Sequence, residues 1–437
     1  MQKNMKITRR GLLKGFAAAG IGGPYVISSR VLGLDGAAAP SSRVTLGCIG
    51  VGGKGTGGML TLMGNKDAQV LAVCDVKADV RQRAANLVEK HYAAERQAGT
   101  YKGCAAVNDF REVTSRNDID AVLVASTEQW HVVQSIEAMR CAKDVYCEKP
   151  LGRTVAECRA LVEAARRYDR VFQHGTQLRS LRNVRFACEL VRNGRIGKVH
   201  TVKIGSPGSG ATTPQPPLPV PPGFDYDMWL GPAQWAPYCN QRCTTPGWYW
   251  ISDYCPSGFV AEFAAHDMDI TQWGIGDLMT GPVEIEGTGV YPDDGLFDTA
   301  VTYHVEYKFA GGVRVILTTL NENRHGVRFE GADGWVFTRS EIEAQPQSLL
   351  RSVIAPGEIH LYDSPNHERN FLDCVKSRAE TICPPEAACQ ATTLCQIGDI
   401  AMRLRRKLIW DMRKECFLND AEANRRRTLA MREPWRL

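Results

Sequence analysis

Continuous hydrophobic runs alternate with helical stretches over the first part of the chain. Runs of this kind, separated by helices, are typical of a parallel sheet that is covered on both faces. The apolar runs occupy residues 44–50, 70–75, 121–126, 145–150 and 171–175, and two clear helical stretches occupy 76–92 and 154–169. We therefore expect a parallel α/β domain over residues 43–178.

After about residue 180, hydrophobic and polar residues alternate instead. Alternation with a period of two predicts strands with one buried and one exposed face, which are mostly antiparallel. The alternating segments occupy 199–204, 300–307, 313–319 and 335–338, and a helical region is expected from His367 to Trp410. This pattern predicts a second α/β domain over 179–400, followed by a basic tail at 401–437.

Charge and hydropathy exclude two classes of protein. The 437 residues carry 53 Lys and Arg against 48 Asp and Glu, but residues 1–39 alone hold six basic residues and one acid. The remainder is neutral, so no global field favours a nucleic acid as partner. Because no 18 uninterrupted apolar residues occur, we expect no integral membrane span after signal removal.

The first 39 residues resemble a twin-arginine export signal. Arg9 and Arg10 are followed by a weakly apolar stretch at 16–27 and by three alanines at 37–39. Small residues in this position are suited to cleavage. The pattern predicts a signal peptide at 1–39 and export to the periplasm.

Fifteen cysteines do not form a clear disulfide framework, because their number is odd and several lie in apolar runs. Cys239, Cys243 and Cys255 are the one cluster with ligand-like spacing. A single C-x₃-C with a distant cysteine and no close histidine is a weak zinc pattern. We expect no metal, and leave a local disulfide and free thiols open as alternatives.

A dinucleotide-binding fingerprint follows the first strand. Residues 50–55 read G-V-G-G-K-G, and Asp75 ends the next strand 20 positions after Gly55. In this motif Gly50 permits a tight turn, Gly52 lets the backbone approach a pyrophosphate, and the acid binds the adenosine ribose. The motif predicts NAD as cofactor, with NADP possible because Lys77 lies nearby. The expected contacts are Gly50, Gly52, Gly53, Lys54, Gly55 and Asp75.

Three further segments resemble the Gfo/Idh/MocA family of sugar and polyol oxidoreductases. C-E-K-P at 147–150 is similar to the family's E-K-P signature, and S-T-E-Q-W-H at 126–131 is similar to its T-P-x-x-x-H segment. G-F-V-A-E-F-A-A-H-D-M-D at 258–269 resembles its D-x-G-x-H-x-x-D segment. D-M-W-L-G-P-A at 227–233 resembles a secreted, twin-arginine branch.

The resemblance implies a fold, an assembly and a cofactor site. The fold would be an N-terminal Rossmann parallel-sheet domain followed by a C-terminal α/β domain with a large, mostly antiparallel open sheet. That sheet would mediate a homodimer or homotetramer. The nicotinamide and the substrate would lie between the domains. Further cofactor contacts would come from Ser126, Thr127, His131, Glu148 and Lys149.

Catalysis needs a group that takes a proton from a hydroxyl. Lys149 follows a parallel strand at the end where such folds bind ligands, and both this position and the resemblance give it that task. His266 would be a proton relay or would orient the hydroxyl. In a helix, Glu262, His266 and Asp269 would share one face. Glu262, which stands where the family has Asp, would assist.

A carbohydrate or polyol is the expected substrate. Trp248, Tyr249 and Tyr254 supply aromatic surfaces, although plain core packing is an alternative for them. Gln177, Arg179 and Asp269 would add polar contacts. Three functions follow as hypotheses. The first is an NAD(P)-dependent oxidoreductase that acts on a sugar, sugar derivative or cyclitol and holds its cofactor tightly. The second is a glycosidase that uses the cofactor transiently, and the third is a non-catalytic sugar-binding protein.

Overall fold

The apolar runs of the first part of the chain form a parallel sheet. The computed structural model describes residues 42–437, so the expected export signal at 1–39 lies outside the described residues. The strands are β1 Val44–Ile49, β2 Ala68–Cys74, β3 Ala105–Val107, β4 Ala121–Val124, β5 Asp144–Cys147 and β6 Phe172–His174. Within the described residues they pair in the order β3-β2-β1-β4-β5-β6, all in parallel.

Helices connect these strands. They are α1 Gly53–Met63, α2 Ala78–His91, α3 Ala93–Gln97, α4 Phe110–Thr114, α5 Glu128–Arg140 and α6 Val155–Tyr168. Local signals set their ends: the Thr154 hydroxyl accepts a hydrogen bond from the Glu157 N–H (3.2 Å) before α6, and Asp169 adopts the left-handed conformation after it. The predicted parallel α/β architecture is confirmed.

The alternating segments form a second, mostly antiparallel sheet. Its strands are β7 Val199–Ser206, β8 Pro282–Val290, β9 Thr302–Phe309, β10 Arg314–Thr319, β11 Gly326–Gly331, β12 Gly334–Thr338, β13 Ile342–Gln345, β14 Leu408–Asp411 and β15 Cys416–Phe417. Among the described residues the order is β13-β12-β11-β7-β10-β9-β8-β14-β15, with β7 and β10 parallel. Alternate residues of β9 are buried, which confirms the period of two.

One face of this C-terminal sheet is covered by helices, and the other carries ion pairs. The helices of this part of the chain are α7 Arg182–Arg192, α8 Tyr226–Leu230, α9 Phe259–Glu262, α10 Ala264–Ile275, α11 His367–Ser377, α12 Pro385–Leu404 and α13 Ala421–Arg425, of which α11 packs on the parallel sheet instead. Helices α7, α10 and α12 pack together against the strands. On the open face Lys203 pairs with Glu330 (3.1 Å) and Lys308 with Glu286 (3.2 Å).

The expected helical region reaching Trp410 is wrong at its end. Helix α12 stops at Leu404, since Arg405 takes the left-handed conformation, and residues 408–411 pair with β8 as strand β14. Leu408 and Trp410 are buried while Ile409 is exposed, so an alternating pattern in this short segment went unrecognised. The predicted basic tail at 401–437 therefore contributes two strands, β14 and β15, to the C-terminal sheet.

Residues 44–437 pack as one compact unit. Side chains from both sheets can therefore contribute to one site. Across residues 42–437, the helices are too short or too polar to cross a bilayer.

Candidate active site

The glycine-rich loop between β1 and α1 is open toward a cavity. Gly50 has φ +78°, a conformation that favours glycine, and a Cβ there would lie 2.5 Å from the Ser126 nitrogen. At Gly52 and Gly53 a Cβ would meet open space. Among the described residues no side chain caps the start of α1, so its free N–H groups suit a phosphate. The loop fits a dinucleotide pyrophosphate.

The cavity lies at the carboxyl ends of β1, β2, β4 and β5 and has a volume of about 460 Å³. This is the edge at which open parallel sheets bind ligands. The cavity brings together thirteen of the predicted site residues: Gly50, Gly52, Gly53, Lys54, Asp75, Ser126, Thr127, His131, Glu148, Lys149, Trp248, Tyr249 and Glu262. Gly55 lies behind the loop, where a Cβ would meet the Gly50 oxygen at 1.8 Å.

Asp75 is held at the rim by backbone hydrogen bonds. Its two carboxylate oxygens accept from the N–H groups of Val51 and Lys77, both at 3.0 Å. The Lys77 ammonium points away and donates to the Cys243 carbonyl oxygen (2.9 Å). Lys77 is therefore engaged elsewhere. Burial raises the pKa of Asp75, and the two backbone hydrogen bonds oppose this rise and favour the carboxylate.

Residues 223–245, which we call the cover segment, cross the cavity beside Asp75. The Gly223 carbonyl accepts from the Ala78 N–H (2.8 Å), and the Asp225 N–H donates to the Val76 carbonyl (3.0 Å). The Asn108 amide also donates to the Asp225 carboxylate (2.7 Å). Cover residues that line the cavity are Met228, Trp229, Cys243 and Thr245.

The far side of the cover segment is fastened by residues near 432–435. The Arg432 guanidinium donates to the carbonyls of Gly231 (3.0 Å) and Asp227 (2.8 Å). Trp435 packs edge-on against Trp130 at 4.6 Å between ring centroids, and the Trp130 indole donates to the Met228 carbonyl (3.0 Å). The sequence did not predict that residues 223–245 cover the cavity. The D-M-W-L-G-P-A motif at 227–233, noted for its resemblance to a secreted branch, was a signal that lay within this segment.

Lys149 and Glu262 form an ion pair at the floor of the cavity. The Lys149 ammonium contacts a Glu262 carboxylate oxygen and donates to the Glu262 carbonyl (2.7 Å). Its side chain is 14% exposed and that of Glu262 3% exposed. Burial raises the pKa of Glu262 to about 7, although the Lys149 charge opposes this. Glu262 can therefore gain or lose a proton near neutral pH.

Polar contacts fix the neighbours of Lys149. Glu148 accepts from the Gln177 amide (3.0 Å) and pairs with Lys54 (3.2 Å). The His131 ring nitrogens lie 2.7 Å from the Pro150 carbonyl oxygen and 3.1 Å from that of Ser126. Gln177 thus reaches the site through Glu148.

Aromatic rings form one wall. The rings of Trp248 and Tyr249 are 3.9 Å apart between centroids, and the Lys149 ammonium lies 6.0 Å from the Tyr249 centroid. Tyr254 does not reach the cavity: it is fully buried, packs on Trp229 at 4.9 Å and accepts from Arg242 (3.0 Å). Of the three predicted platforms, the structure brings Trp248 and Tyr249 to Lys149.

Arg179 and Asp269 lie outside the cavity lining, in a buried ion pair. Two Arg179 nitrogens donate to the two Asp269 oxygens, each at 2.7 Å, and a third donates to the Ile382 carbonyl (2.9 Å). Gln272 also donates to Asp269 (2.8 Å). The polar atoms of Arg179 and Asp269 are thus bonded to each other within the protein interior. The predicted substrate contact of these two residues is not supported by this geometry.

The expected single helix through Glu262, His266 and Asp269 is interrupted. Helix α9 ends at Glu262 and α10 begins at Ala264. Glu262 thus turns to Lys149 and Asp269 to Arg179, while the buried His266 Nδ1 has no partner among the described residues. Burial and the Lys149 charge lower the pKa of His266 well below its ordinary value. A neutral His266 is poorly suited to relay protons, and it does not line the cavity.

All fifteen cysteines lie within residues 42–437 and are free thiols there. Of the cluster noted in the sequence, Cys243 offers its carbonyl to Lys77 and Cys255 is buried beside Glu128. The local disulfide is therefore not formed in this structure.

Comparison with known proteins identifies two adjoining domains. The model of the oxidoreductase family's NAD-binding Rossmann fold matches residues 44–176, and that of the family's C-terminal alpha/beta domain matches residues 204–437. The chain is similar over its whole fold to the aldose-aldose oxidoreductase of Caulobacter crescentus, with a TM-score of 0.58, 18% identity, and coverage of 84% of this chain and 99% of that one.

Curated relatives match over shorter stretches. A glycosyl hydrolase family 109 protein of Saccharopolyspora erythraea is 32% identical over 214 residues, 44% of each chain. The myo-inositol 2-dehydrogenase of Thermotoga maritima is 32% identical over 183 residues, 41% of this chain and 47% of that protein. The matched stretches thus span less than half of these relatives. The two family models cover both sheets and the cavity between them, and the chain belongs to the Gfo/Idh/MocA family of oxidoreductases, with an NAD-binding Rossmann domain.

Proposed function

We propose that this chain is an NAD-dependent oxidoreductase acting on a hydroxyl-bearing carbon of a sugar, sugar derivative or cyclitol. The observation that carries the proposal is the position of the Lys149 amine. It lies in the same cavity as the open glycine loop and beside the aromatic wall. An acid–base group, a dinucleotide cradle and a surface suited to sugar rings thus converge.

The residues present fit NAD. Gly52, Gly53 and the start of α1 would hold the pyrophosphate, Asp75 the adenosine ribose and Glu148 the nicotinamide ribose. When bound there, the cofactor supplies reversible acceptance of two electrons and one hydrogen from carbon.

Lys149 would move the remaining proton. Its amine would take the proton of the substrate hydroxyl during oxidation and return it during reduction. Glu262 holds the ammonium in place and can accept its proton. His266 does not line the cavity, and its Nδ1, unbonded among the described residues, is buried, so no direct contact with the substrate is assigned to it. The rings of Trp248 and Tyr249 would exclude water and hold the sugar face.

The cover segment supports a cofactor that stays bound through many turnovers. Its contacts to residues 76–78 must open before a dinucleotide can leave. Together with the predicted export signal, this supports a periplasmic enzyme that receives its cofactor in the cytoplasm. Its net reaction would be redox-neutral, with oxidation of one sugar and reduction of another.

The test begins with mature protein purified from the periplasm and desalted. Denaturation and absorbance should give about one nucleotide per chain, the ratio expected for one dinucleotide cradle. Adding sugars and cyclitols singly should then change the absorbance of the bound nucleotide. Nucleotide-free protein that binds no added NAD and turns over no sugar would contradict the proposal.

A glycosidase is the second candidate, since several matched relatives carry the name glycosyl hydrolase family 109. Such an enzyme would oxidise a ring hydroxyl, eliminate the aglycone and reduce the ring again. It would release the leaving group from one glycoside with no added NAD and no second sugar. An oxidoreductase would need the second sugar as acceptor.

Replacing Asp75 with alanine is expected to narrow the preference for NAD over NADP by roughly tenfold, since hydrogen bonds to a charged group are lost. Titration of nucleotide-stripped protein with both nucleotides measures the ratio. Asp79→Ala removes an equal charge from the first turn of α2, where Asp79 is exposed and outside the cavity, and should leave the ratio unchanged. Equal affinity of the unmodified protein for both nucleotides would contradict the assignment.

Oxidation should slow as the pH falls below about 7, the pKa to which burial raises Glu262. Above that pH Glu262 is ionised and can accept the proton that Lys149 takes. Below it Glu262 is protonated, so the rate should fall about tenfold per pH unit, as for one essential base. A pH–rate profile in both directions checks this, and the reduction should show the opposite trend. The same acid limb in Glu262→Gln would disprove the role of Glu262.

A further inference from the structure

Two carboxyl groups meet behind Lys149, and the proposed mechanism uses one of them. Glu128 is the first residue of α5 and Glu262 the last of α9. Their carboxylates and the Cys255 thiol each place an atom within 4.8 Å of the others. Glu128 is 1% exposed and Glu262 is 2% exposed. In each carboxylate the Oε2 atom is buried without a hydrogen-bond partner among the described residues.

Two carboxylates this close and this deeply buried cannot both stay ionised, because each loses its hydration and repels the other. A proton held by the pair neutralises one of them and supplies a donor for the unpartnered oxygens. Burial, and then the charge of Glu262, raise the pKa of Glu128 well above its ordinary value.

The surrounding charges favour Glu262 as the ionised member. Lys149 contacts Glu262 directly and Tyr249 hydrogen-bonds to it, and both favour the carboxylate, whereas the charge of Glu148 opposes it. Glu128 has the Cys255 thiol beside it. The opposite charges of Arg153 and Glu157, which pair with each other at 2.7 Å, largely cancel in their effect on Glu128. The same Lys149 contact argues against a metal ion among these ligands, because the ammonium already provides the positive charge.

We propose that Glu128 and Glu262 hold one proton between them and form a relay behind Lys149. This inference rests on the proposed function. The Lys149 amine takes the hydroxyl proton and becomes an ammonium; the Glu262 carboxylate takes that proton from it. Glu128, which already carries the stored proton, releases it to solvent water and receives the one on Glu262. The reverse sequence resupplies Lys149 during reduction, and these steps move protons only.

A relay is needed because bound cofactor and substrate would close the cavity over Lys149. Glu128 is the nearest buried group that could pass a proton on from Glu262. Arg153, whose charge acts on Glu128, lines a second cavity of about 820 Å³ together with Asp253, Ser257 and Arg403. Glu128 acts through Glu262 and is a positioning residue.

Infrared spectroscopy of the full chain tests the stored proton without any substrate. At neutral pH the wild-type protein should show the C=O band of a buried protonated carboxyl, and Glu128→Gln should lose that band. As the pH is raised, the band should disappear when Glu128 loses its proton. In Glu262→Gln the midpoint of this disappearance should lie about 1 pH unit or more below that of the wild type, since a like charge next to Glu128 has been removed. Identical spectra for wild type and Glu128→Gln, or an unshifted midpoint, would overturn the proposal.

Cys255→Ala is the matched control, because it removes the neighbouring thiol and keeps both carboxyls. The carboxyl band should remain in this variant. If Cys255→Ala also loses the band, its loss in Glu128→Gln reports a general disturbance of the structure, and the proposal is overturned.

In turnover, Glu128→Gln should lower kcat by roughly tenfold, which is less than the effect of removing a group that touches the substrate. KM should stay unchanged. Glu128→Asp should recover most of kcat. A rise in KM, or no recovery by aspartate, would also overturn the relay. Because the infrared test needs no turnover, it stands even if the proposed function fails.

Discussion

Replacing Lys149 with methionine is expected to lower turnover by at least about 10²-fold, the usual scale for a positioned acid–base group. Methionine keeps most of the length of the side chain but cannot take a proton from a hydroxyl. The fold should survive, because Glu262 can become neutral once its cation is gone; its pKa is already raised by burial. Nucleotide binding should be retained, since the glycine loop and Asp75 are untouched.

Turnover of bound cofactor, followed by absorbance in the presence of substrate, measures this effect. Lys54→Met is the matched control: Lys54 contacts Glu148 in the same cavity but is largely exposed. It should weaken nucleotide binding and leave the chemical step nearly intact. Near-normal turnover in Lys149→Met would show that another group carries the proton.

Replacing Arg179 with methionine is expected to destabilise the protein by about 3–5 kcal/mol, because it leaves the Asp269 carboxylate buried and unpaired. Asp269 is 1% exposed and Arg179 is 6% exposed. Denaturant unfolding of the variant and the wild type measures the difference. KM of the folded fraction should stay unchanged, since neither residue lines the cavity.

The double variant Arg179→Met, Asp269→Leu should regain much of the lost stability, because it removes both charges together. If Arg179→Met instead keeps full stability and shows a raised KM, then Arg179 and Asp269 contact the substrate, as the sequence predicted. The pair of measurements thus separates a structural ion pair from a substrate contact.

The parallel sheet and the cofactor cradle could be predicted from sequence because their signals are local. The spacing from Gly50 to Gly55 and on to Asp75 is set by one strand–helix–strand unit. Lys149 was predicted for a similar reason, since it directly follows a buried strand. These residues need no knowledge of distant contacts.

Other parts of the site depend on contacts between distant segments. The partner of Asp269 is Arg179, 90 residues earlier, and nothing in helical spacing distinguishes it from a ligand. The break between α9 and α10 turns Glu262 away from Asp269, although the sequence is continuous there. Glu128 was noted in a motif, but its meeting with Glu262 depends on how two helix ends pack.

The cover segment has a consequence for how the protein is made. A ribosome synthesises the glycine-rich loop long before Met228 and Trp229, and later still Arg432 and Trp435, which fasten the cover. A nascent chain halted between these points would present an open nucleotide cradle and would exchange NAD freely with the cytosol. Lasting retention of the nucleotide would then begin only after residues around Trp435 have emerged and docked against Trp130.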